Sequence, residues 1–435
     1  MALSTQPYKG ARDFYPEDKR VQDYMFDAMR RVCQRFGYEE YDAPILEPLE
    51  LYAAKSGEEI VNEQTYSFVD RGDRHVAIRP EMTPTVSRMV AARRQELAYP
   101  LRWFSIPNLW RYERPQRGRL REHWQLNVDI FGESGLSAEH EVIVLADNLL
   151  KELGAKHSMY EIRLNSRMFM DSLLKNYFGL SDVQSHTLGK LIDRKNKMEA
   201  AVFEADVDAL CSPSQKDEGL HERILNILKV SKLEELPAEL QQQPSIKQLK
   251  SLMELLAQDG LDNVSFDITL MRGFDYYTDI VFEVFDTNSE NNRSMFGGGR
   301  YDGLVGLFGV EPIATVGFGM GDVTLANFLQ THELLPEQHS STDVLLVLIG
   351  DVYPGASKLA AELREMGLNV SIDATDRKID KKLKSATKQG TRYVLFVGST
   401  ELQEEQYPLK DLQTGEEEKH SAQRLVSLIK DYRKQ

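Results

Sequence analysis

The hydrophobic pattern changes period several times along this chain, and each change marks a part. Val21, Met25, Met29, Val32 and Phe36 recur at helical spacing. Pro16 stands where that helix starts, with Glu17 and Asp18 in its first turn, and Gly37 where it stops. The following Tyr38-Glu-Glu-Tyr-Asp-Ala-Pro-Ile-Leu-Glu-Pro is extended, because a residue preceding proline is pushed out of the helical region. Over residues 102–131 the period becomes two, which predicts two strands joined by a basic loop. On the return strand Trp124, Leu126, Val128 and Ile130 alternate with Gln125, Asn127 and Asp129, so three polar side chains share one face with apolar ones behind them. Residues 135–165 read as helix and then strand. Residues 166–260 return to helical spacing, as in Leu174, Phe178 and Leu180, and predict a helical insertion in an antiparallel sheet. Strand patterning resumes over 263–270 and again where Val281, Glu283 and Phe285 alternate with Phe282 and Val284. Phe296-Gly-Gly-Gly-Arg-Tyr-Asp-Gly and Thr315-Val-Gly-Phe-Gly-Met-Gly-Asp follow, the latter leading into a helix that ends near Phe328. Three consecutive glycines permit close backbone approach to a ligand or a neighbouring strand.

Past a polar stretch the organisation changes. Residues 333–341 read as a linker between a domain at 1–332 and another at 342–435. Beyond it, strands at 344–349, 369–372 and 393–397 alternate with helices at 354–366 and 377–389. That alternation predicts a small sheet of mostly parallel strands. Residues 404–418 add a hairpin or strand, and 422–432 a closing helix.

Composition narrows the function classes. A chain of 435 residues holds two or three domains. No apolar run approaches the roughly 20 residues that cross a bilayer, and the first residues lack the pattern of a secretory signal. Cys33 and Cys211 belong to no Cys-x-x-Cys pair, which speaks against a disulfide framework or structural zinc and for a reducing cytoplasm. The net charge of −15 argues against a nonspecific nucleic-acid coat but not against local basic patches. One patch carries Arg111, Arg114, Arg117, Arg119 and Arg121 against Glu113. The other carries Arg377, Lys378, Lys381, Lys382, Lys384, Lys388 and Arg392 against Asp380 and is readable as a solvated helix face.

The segment Leu270-Met-Arg-Gly-Phe-Asp-Tyr-Tyr-Thr-Asp places a permanent cation, Arg272, and two phenols, Tyr276 and Tyr277, at the head of a strand. Such a site suits a small ligand with negative charge and polar ring atoms. The stretch resembles the histidine signature of histidyl-tRNA synthetases. The resemblance extends to the entry segment, the first helix and strand (motif 1), Arg79-Pro-Glu-Met-Thr-Pro, Leu109-Trp-Arg-Tyr-Glu (motif 2), Phe296-Gly-Gly-Gly-Arg-Tyr and the C-terminal part. It implies an α+β catalytic domain with the class II synthetase antiparallel sheet flanked by helices, a helical insertion at 166–260, and a C-terminal α/β anticodon-binding domain.

The implied activity is histidine–tRNA ligation, with L-histidine, histidine tRNA and ATP as substrates. The resemblance also implies Mg2+ with the ATP, no tightly bound cofactor, no protein metal site and a homodimer. By the same resemblance Arg272 and Arg111 hold the α-phosphate and the attacking carboxylate. Glu81, Met82, Thr83, Gln125, Asp129, Arg272, Tyr276, Tyr277 and Tyr301 bind histidine, with Asp129 and Tyr277 reading the imidazole. Arg111, Glu113, Arg119 and Arg121 bind ATP, and Arg114, Gln116 and Arg117 meet the tRNA acceptor end. One position departs from the family: after Gly319-Met-Gly, the chain has Asp322, Val323 and Thr324 where an apolar residue, Glu and Arg are common. The arginine that grips the γ-phosphate is therefore missing, which leaves three alternatives: Arg119 or Arg121 takes over the γ-phosphate, ATP binds differently, or the chain is inactive. The alternative reading is a synthetase-like regulatory subunit that senses histidine for an ATP phosphoribosyltransferase. The intact Arg111 and Arg272, the arginine loop and the basic C-terminal domain weigh against it.

Overall fold

The computed structural model describes residues 3–53, 64–195, 198–271, 276–291, 293–337 and 340–433. The chain divides into two units, residues 1–335 and 336–435.

The first helix of the first unit, Pro16–Arg35, begins and ends as its sequence dictates. Proline opens it, Glu17 and Asp18 sit in the first turn, and Gly37 follows with a φ of +79°. Its stripe of Met25, Met29, Val32 and Cys33 is buried. That stripe packs on a sheet which, among the described residues, has nine strands. The central run is antiparallel: Leu101–Ser105, Glu122–Phe131, Thr315–Gly321, Ser294–Arg300, Ile280–Asp286 and Tyr160–Ser166 lie side by side in that order. Glu39–Glu40 and Val264–Phe266 flank it in parallel, and Asn108–Trp110 pairs with the start of Glu122–Phe131.

Alternation sorts the two faces. Leu126, Val128 and Ile130 point into the core against the first helix and Ser137–Glu152, while Asn127 and Asp129 are buried on the other face. Helices from Arg167–Ser172 to Pro244–Gln258 occupy the stretch between Tyr160–Ser166 and Val264–Phe266. The strand expected over 263–270 stops at Phe266. Asp267 ends it by accepting hydrogen bonds from the Thr269 amide (2.9 Å) and hydroxyl (2.6 Å), which turns the backbone out of the ladder.

In the second unit Val370–Asp373, Val344–Leu348 and Tyr393–Val397 are parallel, and Tyr407–Asp411 and Glu417–His420 extend the sheet antiparallel. Helices Tyr353–Glu365, Ile379–Lys388 and Ala422–Arg433 accompany it, with a short helix Ser399–Glu404 that the sequence pattern did not reveal. The basic stretch here is partly internal. Lys382 is buried and donates to the Asp373 carbonyl (3.0 Å), Arg377 pairs with the Asp373 carboxylate (2.9 Å), and Arg392 with Asp411 (2.7 Å). Lys378, Lys381, Lys384 and Lys388 remain exposed. Cys33 and Cys211 are both buried free thiols. Among the described residues no helix is long and apolar enough to cross a membrane.

Candidate active site

Two adjoining cavities open on the polar face of the large sheet. The smaller, about 60 Å³, is walled by Glu81, Thr83, Gln125, Asn127, Asp129, Tyr276, Tyr277 and Tyr301, with glycines of the two neighbouring strands. The larger, about 540 Å³, is walled in part by Arg111, Glu113, Gln116, Arg117, Arg119, His123 and Thr324. Gln125, Tyr277, Gly297 and Gly319 belong to both walls, so the cavities meet at those residues.

Glycine makes the smaller cavity possible. Gly317 pairs with Asp129 and Gly321 with Gln125 across the ladder, and Gly319 lies between them. A methyl group on Gly319 would stand 2.9 Å from the Gln125 amide carbon and nitrogen, and one on Gly317 2.9 Å from the Tyr301 hydroxyl. Alternate positions without side chains leave the space that the polar groups of the return strand fill.

Asp129 is the chemical centre of that space. Tyr301 donates a short hydrogen bond to Oδ1. Oδ2 is buried and has no hydrogen-bond partner among the described residues. Burial pushes this carboxyl up to about 7, against the opposing pull of the Tyr301 hydrogen bond. A buried acceptor of this kind is costly unless a donor arrives. Above it Tyr276 donates to Glu81 (3.3 Å) and lies 3.5 Å from the Thr83 hydroxyl. The rings of Tyr276, Tyr277 and Tyr301 form a cluster with centroids 5.0, 5.5 and 6.2 Å apart. Burial, followed by the charge of Glu81 or Asp129, raises all three phenols, so they stay protonated donors.

The larger cavity is a basic one. The Arg111 Nε donates to the Pro80 carbonyl at 2.8 Å, which ties the arginine to the segment carrying Glu81. Arg119 lies 3.3 Å from the Glu113 carboxylate. Arg117 reaches across to Asn291 (3.1 Å) and Thr331 (3.3 Å) and lies 3.6 Å from Glu290. His123 stands on the same face of the return strand as Gln125. Burial, then the charges of Arg111 and Arg12, push its imidazole down to about 3, so it is neutral at physiological pH.

Most of the residues singled out in the sequence thus line one of two joined cavities. Met82 is fully buried but stands behind the walls. Arg114 is exposed on the loop, and Arg121 lies outside both walls, stacked on Tyr112 at 4.0 Å and donating to the Glu113 carbonyl and the Tyr8 hydroxyl. Arg272 falls outside the described residues. Asn127 lines the smaller cavity with the other polar residues of its strand face, and His123, which no motif marks, lines the larger one; its parity with Gln125, Asn127 and Asp129 was the signal available. Arg293 and Glu290 also line the larger cavity, and no local pattern marks them.

Asp322 and Thr324 are both engaged structurally. Asp322, buried, accepts from Arg12 (2.7 Å) and from the Trp124 amide (3.0 Å), fastening the N-terminal segment to the sheet. The Thr324 hydroxyl donates to the Met295 carbonyl at 2.7 Å.

Comparison with known proteins points to one family. The family model for histidyl-tRNA synthetase matches residues 10–322, and that for an anticodon binding domain matches residues 343–432. A histidine–tRNA ligase of Leptospira biflexa serovar Patoc is 45% identical over 412 residues, covering 94% of each chain. A histidine–tRNA ligase of Haloarcula marismortui is 36% identical over 411 residues, again 94% of each. The solved histidyl-tRNA synthetase of Nostoc sp. PCC 7120 superposes with a TM-score of 0.83 over 99% of this chain and all of that one; at 23% identity it speaks for the fold. With a family match across most of the chain and ligases this similar along nearly its whole length, the chain belongs to the histidyl-tRNA synthetase family.

Proposed function

We propose that this chain is a histidine–tRNA ligase: it activates L-histidine with ATP and transfers the histidyl group to the 3′ end of histidine tRNA. The observation that carries the substrate choice is the unpartnered, buried Oδ2 of Asp129 in a cavity walled by three tyrosines and Glu81. An imidazole N–H supplies the missing donor, and the Tyr277 hydroxyl meets the second ring nitrogen. Glu81, with Thr83 and Gln125, holds the ammonium group. An analogue lacking either ring nitrogen leaves buried polar groups unpaired, so histidine is selected without a proofreading step.

In the first step a carboxylate oxygen of histidine attacks the α-phosphorus of MgATP, the bond to the β-phosphate breaks, and pyrophosphate leaves. Negative charge grows on the phosphoryl oxygens, and Arg111 meets it; its position on the wall of the larger cavity supports that role. Meeting at Gln125 and Tyr277, the cavities bring carboxylate and α-phosphate together, which makes orientation the larger part of the catalysis. In the second step a terminal ribose hydroxyl attacks the acyl carbon and AMP departs. Arg114, Gln116 and Arg117 meet the acceptor end, where phosphate contacts give affinity and base contacts specify.

We further propose a cytoplasmic homodimer with its domain boundary at 333–341. Support for self-association comes from the exposed apolar residues Ile45, Leu46, Phe68 and Val69 around the three-stranded sheet of Leu46–Pro48, Ser67–Val69 and His75–Ile78.

Purified protein is expected to catalyse histidine-dependent exchange of pyrophosphate into ATP and to charge histidine tRNA. Arg272→Ala is expected to abolish adenylate formation in a folded protein. Histidine binding with neither exchange nor charging would replace this reading with that of a histidine-sensing regulatory subunit.

A further inference from the structure

A long polyanion entering the larger cavity needs positive charge at its far end, and Thr324 on the wall offers only a hydroxyl. That hydroxyl is committed to the Met295 and Gly321 carbonyls, at 2.7 and 3.1 Å. Asp322 is bound to Arg12 and adds no cation. The guanidinium groups of the loop are also largely committed. Arg119 faces the Glu113 carboxylate, Arg117 is held by Asn291, Thr331 and Glu290, and Arg121 stacks on Tyr112 outside the wall.

Arg293 differs from all of these. It lines the larger cavity, is exposed, and makes no ion pair with a described residue. Its hydrogen bond is to a neutral group, the Gln116 Oε1 at 3.0 Å. It stands immediately before the strand Ser294–Arg300, whose Gly297 and Gly298 line the same cavity. It is also two residues from Met295, whose carbonyl Thr324 contacts. The structure therefore offers a permanent cation at the head of the strand that position 324 touches.

We propose that Arg293 is the residue that meets the terminal phosphates of ATP, supplying from the neighbouring strand the charge that position 324 lacks. The inference rests on the ligase reading. On nucleotide entry the guanidinium exchanges one neutral amide oxygen for phosphate oxygens, which it engages in charge-assisted, bidentate geometry. The adenosine and α-phosphate end does not depend on it.

The test is isothermal titration of full-length protein with ATP, AMP and histidine, for wild type, Arg293→Ala and Arg293→Lys, with KM values from pyrophosphate exchange. Arg293→Ala is expected to weaken ATP binding about tenfold or more, the size of a lost charge-assisted bond, and to raise the KM for ATP. AMP affinity and the KM for histidine should not move, and Arg293→Lys should lie between. Because the side chain is exposed, the substitution carries no core-packing cost. Unchanged ATP affinity in Arg293→Ala, or a parallel loss of AMP affinity, overturns the proposal while exchange by wild type leaves the ligase reading standing. A wild-type protein that neither binds ATP nor exchanges pyrophosphate removes both.

Discussion

Replacing Asp129 by asparagine removes a charge with almost no change in volume, so it separates recognition from packing. In wild type the carboxyl moves from an ordinary 3.8 to about 7 on folding. The folded state then binds more protons than the unfolded state between those values. Stability from this group is fully present below about pH 4 and is lost as the pH rises through about 7. The shift corresponds to about 4 kcal/mol, at roughly 1.4 kcal/mol per pH unit.

Asparagine does not titrate, so the difference in unfolding free energy between variant and wild type should swing towards the variant by about 2–3 kcal/mol from pH 5 to pH 8. The three tryptophans, Trp103, Trp110 and Trp124, all lie in the first unit. Urea unfolding followed by their fluorescence at pH 5, 6, 7 and 8 reads that unit alone. Histidine binding should move the other way. An asparagine that accepts from Tyr301 must turn its amide N–H into the cavity, towards the imidazole N–H. The loss of a charged acceptor predicts a histidine KM about ten- to a hundredfold higher in pyrophosphate exchange at pH 8. A stability difference that stays flat with pH, or an unchanged KM, would refute the reasoning.

Gly319→Ala should raise the KM for histidine severalfold with little change in thermal midpoint, because its methyl displaces the flexible end of Gln125 from the shared wall; calorimetry with exchange kinetics checks both. Arg12→Ala should destabilise the first unit by about 3 kcal/mol at pH 8, since it strips the cation from the buried Asp322. Burial raises the Asp322 carboxyl despite Arg12, so the loss should shrink as the pH is lowered and protonation relieves it; the same fluorescence titration tests this. Replacing Lys378, Lys381, Lys384 and Lys388 together by alanine should weaken tRNA binding and flatten its salt dependence, by a slope of about 1 for every phosphate no longer neutralised. Histidine-dependent exchange should be untouched, and filter binding at several salt concentrations reads the difference.

What local chemistry governs was legible in the chain itself. Pro16 and Gly37 bound the first helix, and a period of two set Gln125, Asn127 and Asp129 on one face, because caps and side-chain alternation act over a few residues. The family, and with it Glu81, Gln125, Asp129 and the tyrosines as candidate residues that line one cavity, followed from short local motifs. Which charges cancel could be settled only by the fold. Arg12 meets Asp322 across 310 positions, Gln116 meets Arg293 across 177, and Arg121 is diverted to Tyr8 across 113. No periodicity encodes such pairs, since they arise when strands distant in sequence become neighbours in one sheet. The burial that lifts Asp129 has the same origin: it depends on Tyr301 and on glycines of the adjacent strand, nearly two hundred residues further along.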